Sequence, residues 1–125
     1  MLNEILLYVG AGIITIWGVA HLIPTKAIVK GFGAISEDNR KIITMESIAE
    51  GLTLCFIGIL VLLVTLFTGI QNEASRILYP ACAVMLLIMA VLTLATGART
   101  SILPYKICPV VKTVVAILFF LGITL

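Results

Sequence analysis

Charge is scarce in this sequence. Eight Lys/Arg and six Asp/Glu make up 11% of its 125 residues, where an ordinary soluble domain carries about 25%. So few charges cannot cover the surface of a water-soluble domain, and they also exclude a disordered segment or a coiled-coil fibre. A net charge of +2 leaves no basic stripe for a nucleic acid. Histidine occurs once and cysteine three times, with no C-x-x-C pair. A thiol relay or a disulfide framework therefore lacks its parts. Alternating apolar and polar residues, the mark of a barrel strand, are missing too.

What is abundant is apolar side chain: 62% of the residues, with a mean hydropathy of +1.26. The composition is that of an integral membrane protein. Three runs reach the roughly 20 residues that a bilayer-spanning helix needs, at residues 5–24, 51–70 and 77–97. A fourth, at residues 110–125, carries Lys112 near its start. It covers about 24 Å at 1.5 Å per residue, enough to span if Lys112 snorkels to the headgroups. With their flanks the predicted spans are residues 5–24, 46–70, 77–97 and 109–125, in one transmembrane domain over residues 1–125. Short connections make an antiparallel four-helix bundle the expected architecture.

Orientation follows the basic residues. Lys26, Lys30, Arg40 and Lys41 fall between spans one and two, and Arg99, Lys106 and Lys112 between spans three and four or at their edge. The other side holds only Arg76. This bias predicts a multi-pass cell-membrane protein with both connections in the cytoplasm and both termini outside. The first run has no basic n-region and no small-residue cleavage site, so it reads as a transmembrane helix and not a signal peptide. No lipidation motif is expected either.

The segment at residues 25–41 repeats Ile28, Phe32 and Ile35 at helical spacing, with Lys26 and Lys30 on another face. It reads as a short amphipathic helix in the interface. Asp38 or Asn39 offers a cap from which the second span starts well before its apolar core. Residues 69–76 read as a polar turn, and Pro109 as the first position of span four. Cys55 and Cys82 read as small buried side chains and Cys108 as a loop thiol. Tyr8, Tyr79 and Arg76 read as interfacial anchors.

Ionisable groups at membrane depth call for a partner or a use. His21 lies one turn inside span one, with Trp17 and Gly18 a turn before it. Glu46 and Glu50 share a face of span two, and Thr53 continues it inward. Arg99 and Lys112 end span three and begin span four at the same level. The candidate catalytic residues are His21, Glu50 and Glu46; the candidate ligand-binding residues are Trp17, Thr53, Arg99 and Lys112. Each has a structural alternative. His21 can bond a carbonyl or a carboxylate between helices, Glu46 can be solvated on an extended helix end and paired with Arg40 or Lys41, and Glu50 can pair with Arg99, Lys112 or His21. Arg99 and Lys112 can anchor the topology, and Trp17 can pack. One His and two Glu lack a recognisable metal-ligand spacing, so no metal and no cofactor is expected.

The first span ends Trp17-Gly18-Val19-Ala20-His21-Leu22-Ile23-Pro24, and Glu46 opens a second that proceeds Gly51-Leu52-Thr53-Leu54-Cys55-Phe56-Ile57-Gly58. Over about residues 12–65 this resembles the DoxX-like group of small four-span membrane proteins. The Glu46-to-Gly51 offset is longer than the group's usual one, so Glu46 and Glu50 both stay open as the equivalent. The resemblance implies the architecture; the group itself includes quinone-linked oxidoreductase subunits and assembly factors.

Three functions remain. The first is an enzyme or enzyme subunit with a polar His/Glu pocket at the cytoplasmic face, handling a lipid-soluble substrate such as a quinone, isoprenoid or sterol. The second is a small, dimeric proton-coupled transporter in which Glu50 titrates. It is disfavoured because small multidrug exporters, which share four spans and this length, carry their embedded carboxylate in span one, and span one here has none in its apolar run. The third is a structural or assembly protein that packs through small residues such as Gly10, Gly12 and Gly18. The partners expected are membrane lipids, a quinone or similar hydrophobic molecule, a second copy or another membrane protein, and no nucleic acid.

Overall fold

Lipid offers no hydrogen bonds to the backbone, and a helix satisfies its own. The structure, a computed structural model describing residues 1–125, accordingly contains five α-helices, one 3₁₀ turn and no strand. Helix α1 is Leu2–Leu22, α2 Thr25–Lys30, α3 Glu37–Phe67, α4 Glu73–Ala95 and α5 Leu103–Thr124; the 3₁₀ turn is Gly97–Arg99. All but α2 are long and apolar enough to cross a membrane. The protein is a multi-pass membrane protein built as an all-α four-helix bundle.

Local chemistry sets the helix ends. Ser36 caps α3, its Oγ accepting from the Asn39 amide at 3.1 Å. The cap lies two residues before the expected Asp38, which instead places its charge in the first turn beside Glu37. At 31 residues α3 is about 46 Å long, so its N-terminal turns extend beyond the hydrocarbon. Gly69, at φ +76°, ends the helix by donating its amide to the Val64 carbonyl at 3.1 Å. Asn72 caps α4 through the Ser75 amide at 2.9 Å, so that helix begins within the segment read as a polar turn.

Helix α5 departs furthest from expectation. It starts at Leu103 with Pro104 in its first turn, and Pro109 lies inside it. Proline fits the first turn because those amides lack intrahelical acceptors; at Pro109 one ladder bond is given up. The helix is 22 residues, about 33 Å, and spans without help from Lys112. The interfacial helix is shorter than the apolar spacing suggested. In α2 Thr25 and Val29 are buried, while Phe32 is exposed beyond its end. Gly33, at φ +76°, turns the chain away there.

Helix α1 is the hub, packed on α3 along one side and on α5 along another, and α5 in turn packs on α4. The α1–α3 seam is close because it is made of small residues. A Cβ on Gly18 would stand 2.8 Å from the Cys55 amide nitrogen and the Gly51 carbonyl oxygen, and one on Gly58 would meet the Thr15 hydroxyl. On the other side, Gly10 lies under the Phe119 ring and Gly122 under Leu7. The core is Leu7, Ala11 and Ile14 of α1, Leu54, Ile57 and Val61 of α3, Tyr79, Cys82, Ala83 and Leu86 of α4, and Val115, Ala116 and Phe119 of α5. Tyr79 is therefore no interfacial anchor. It is fully buried, its hydroxyl 2.7 Å from Thr65 Oγ1. Helices α3 and α4, joined by the tightest turn between spans, barely touch. A groove separates them toward the opposite end.

Candidate functional site

That opposite end holds the connections α1–α2–α3 and α4–α5. Three helices project ionisable side chains into it from buried faces. In α5 the buried positions Cys108, Lys112, Val115, Ala116, Phe119 and Gly122 form one helical stripe, and its first two members are polar. In α3 the stripe Leu54, Gly51 runs outward to Glu50. In α1 it runs through Ile14 and Gly18 to His21.

Lys112 is fully buried, and its Nζ binds Glu50 Oε1 and, at 2.9 Å, Thr93 Oγ1 of α4. It does not snorkel: a cation at this depth is stabilised by a carboxylate and a hydroxyl brought by two other helices. The second carboxylate oxygen, Glu50 Oε2, lies 3.7 Å from His21 Nε2. The Cys108 sulfur lies 3.6 Å from the same ring nitrogen and accepts from Trp17 Nε1 at 3.3 Å. His21 Nδ1 is 2.9 Å from the Trp17 carbonyl oxygen. A carbonyl only accepts, so Nδ1 carries the ring proton and neutral His21 presents a lone pair at Nε2. Every buried side-chain polar atom has a partner.

Two recesses flank this cluster. One, about 280 Å³, has Trp17, Ala20, Pro24, Ile28, Leu103, Pro104 and Ile107 as its apolar wall and His21, Thr25, Ser47 and Tyr105 as its polar groups. The other, about 350 Å³, is the α3–α4 groove, walled by Ala49, Met85, Met89 and Leu92 with Glu46, Glu50, Thr53, Thr93 and Thr96 along it. Tyr105 borders both.

The residues singled out in the sequence divide into two groups. Trp17, His21, Glu50 and Lys112 meet. Glu46 lies a turn outward on the groove wall, exposed and in no ion pair with Arg40 or Lys41. Thr53 also lines the groove, its hydroxyl spent on the Ala49 carbonyl at 2.8 Å. Arg99 is exposed in the 3₁₀ turn, apart from Glu50. Cys108 and Thr93 join the cluster unforeseen. Cys108 is no loop thiol but a fully buried residue of α5. Its four-residue spacing to Lys112 carried the signal; taking Pro109 as the helix start concealed it.

Fold and site together define a small four-span membrane protein whose bundle holds a buried lysine paired with a half-buried glutamate, with an imidazole and a thiol beside them. Comparison with protein-family models, curated proteins and solved structures found no match.

Proposed function

We propose that the protein binds a lipid-soluble small molecule, of the quinone, isoprenoid or sterol kind, as an enzyme or enzyme subunit, with His21 as its polar recognition group and Glu50, behind the imidazole, as its partner in proton handling. The observation that carries this reading is the apolar recess of about 280 Å³ that has His21 in its wall. Its volume is at the lower end for small-molecule sites, which suits the head of a lipid whose tail runs along the helices. Within it an apolar body meets Trp17 and Ile107, and a carbonyl or hydroxyl head meets His21, Thr25, Ser47 or Tyr105. The Nδ1–carbonyl bond orients the His21 ring, and Glu50 beside it supports an imidazolium when the ring takes a proton.

In this reading the site faces the cytoplasm. Six of the eight Lys/Arg stay on that side even with Lys112 counted as buried, which leaves both termini outside. A cysteine introduced at Ser36 should then resist an impermeant thiol reagent applied to intact cells, and labelling there would reverse the orientation.

The test of the ligand is native mass spectrometry of protein extracted in mild detergent with a metal chelator present, followed by thermal stabilisation with a short-chain quinone and an isoprenoid alcohol. A bound lipid-soluble molecule or a saturable rise in Tm is expected, abolished when Ala20→Trp fills the recess. Absence of both, or stabilisation unchanged in Ala20→Trp, overturns the reading.

A further inference from the structure

The cluster at the base of α5 has an arrangement that an ion pair alone does not require. Cys108 Sγ, His21 Nε2 and a Glu50 carboxylate oxygen all lie within 4.8 Å of one another. They are three different donor types, brought by three helices. We propose that they form a binding site for a transition-metal ion of the zinc type.

The spacing supports this. With a tetrahedral ion at about 2.3 Å from sulfur and about 2.0 Å from nitrogen and oxygen, the ligand atoms stand about 3.3–3.6 Å apart. The nitrogen–sulfur distance here is 3.6 Å and the nitrogen–oxygen distance 3.7 Å. A small inward shift seats the ion.

The outer contacts support it independently. Metal-binding side chains are usually fixed by bonds on their far side. The proton of His21 is held at Nδ1 by the Trp17 carbonyl, so the lone pair is at Nε2. Lys112 engages Glu50 Oε1 and leaves Oε2 facing His21. Trp17 Nε1 donates to the Cys108 sulfur at 3.3 Å and so fixes its position. His21 and Glu50 therefore each have one atom tied outward and the other turned inward, and the single Cys108 sulfur is held in place by Trp17.

The donor set selects the ion. A thiolate with an imidazole disfavours magnesium and calcium, which take oxygen ligands, and favours zinc or cobalt. On binding, the Cys108 proton leaves to solvent as the sulfur–metal bond forms, while the carboxylate and neutral imidazole bind as they stand. Thiolate and carboxylate balance a divalent ion, and the Lys112 charge leaves a net +1 that an anionic fourth ligand neutralises. Three protein ligands leave that fourth position open, as in catalytic zinc sites. The site goes beyond the ligand pocket and does not depend on it.

The experiment is titration of the chelator-stripped, detergent-solubilised protein with Co²⁺, following the thiolate-to-cobalt charge-transfer band, with bound metal measured by elemental analysis. One equivalent with a thiolate band is expected. The band should persist in Cys55→Ala/Cys82→Ala, which leaves Cys108 as the only thiol, and vanish in Cys108→Ser. Removing the donor to sulfur in Trp17→Phe should weaken metal affinity at least about tenfold. A folded wild-type protein without the band overturns the site, as does a band lost in Cys55→Ala/Cys82→Ala. Because the lipid-ligand measurement is made in chelator, failure of one proposal leaves the other standing.

Discussion

The two ends of this bundle use the same four helices in opposite ways. At the end carrying the α3–α4 turn, Leu7, Phe119 and Gly122 fit closely, and the polar pair there is neutral, Thr65 with Tyr79. At the other end α3 and α4 stand apart, and the gap is bordered by a buried cation, two carboxylates and hydroxyls. A neutral pair needs little beyond its own two partners. A buried charge requires a countercharge and further hydrogen bonds, so it recruits residues from every helix within reach. One end holds the fold, and the other holds chemistry at some cost to close packing.

The largest effect should come from breaking the charged end. Lys112→Met leaves Glu50 without its partner and is expected to cost about 3 kcal/mol. Restoring neutrality in Lys112→Met/Glu50→Leu should recover most of that loss in detergent unfolding. A single variant as stable as wild type would mean that the two ends do not differ in this way.

Next comes the seam that both ends share. A Cβ on Gly18 runs into backbone atoms of Gly51 and Cys55, which cannot yield. Gly18→Ala should lose about 2 kcal/mol, as overpacked cores do. Gly12, on the same helix, has nothing within 4 Å of its would-be Cβ. Gly12→Ala should gain about 0.5 kcal/mol from helix propensity. Thermal unfolding of the pair checks the contrast; equal effects would remove the close approach.

The smallest loss belongs to the neutral end. Thr65→Val leaves the Tyr79 hydroxyl without its partner, for about 1 kcal/mol. In a double-mutant cycle with Tyr79→Phe the second change should then cost much less than the first. Additive losses would show that the 2.7 Å contact contributes nothing.

How far these regions were legible in the sequence depends on the residue. His21 and Glu50 stood out because each interrupts or abuts a long apolar run. Lys112 stands out for the same reason, as a pairing partner for Glu50 or as a headgroup anchor, and a helix beginning at Pro109 leaves the two readings open because it puts Lys112 in the first turn. With α5 beginning at Leu103 it lies well inside, and Cys108 one turn before it joins the same buried face. Tyr79 is ambiguous in the sequence because an aromatic near a span's end is equally suited to the interface and to the core. Only the Thr65 hydroxyl across from it decides between them.

The scarcity of charge by itself determined that this chain lives in a membrane, that it crosses as helices, and how many times it does so. Those are consequences of transfer free energy and backbone hydrogen bonding, which depend on runs of residues and not on their partners. Which charges meet was decided by the tertiary structure alone. Lys112, Glu50, His21 and Cys108 lie on three helices far apart in sequence, and their meeting depends on the rotation of each helix about its axis. That rotation is set by where the glycines of α1 and α3 let backbones touch, and by the turn at which α5 begins.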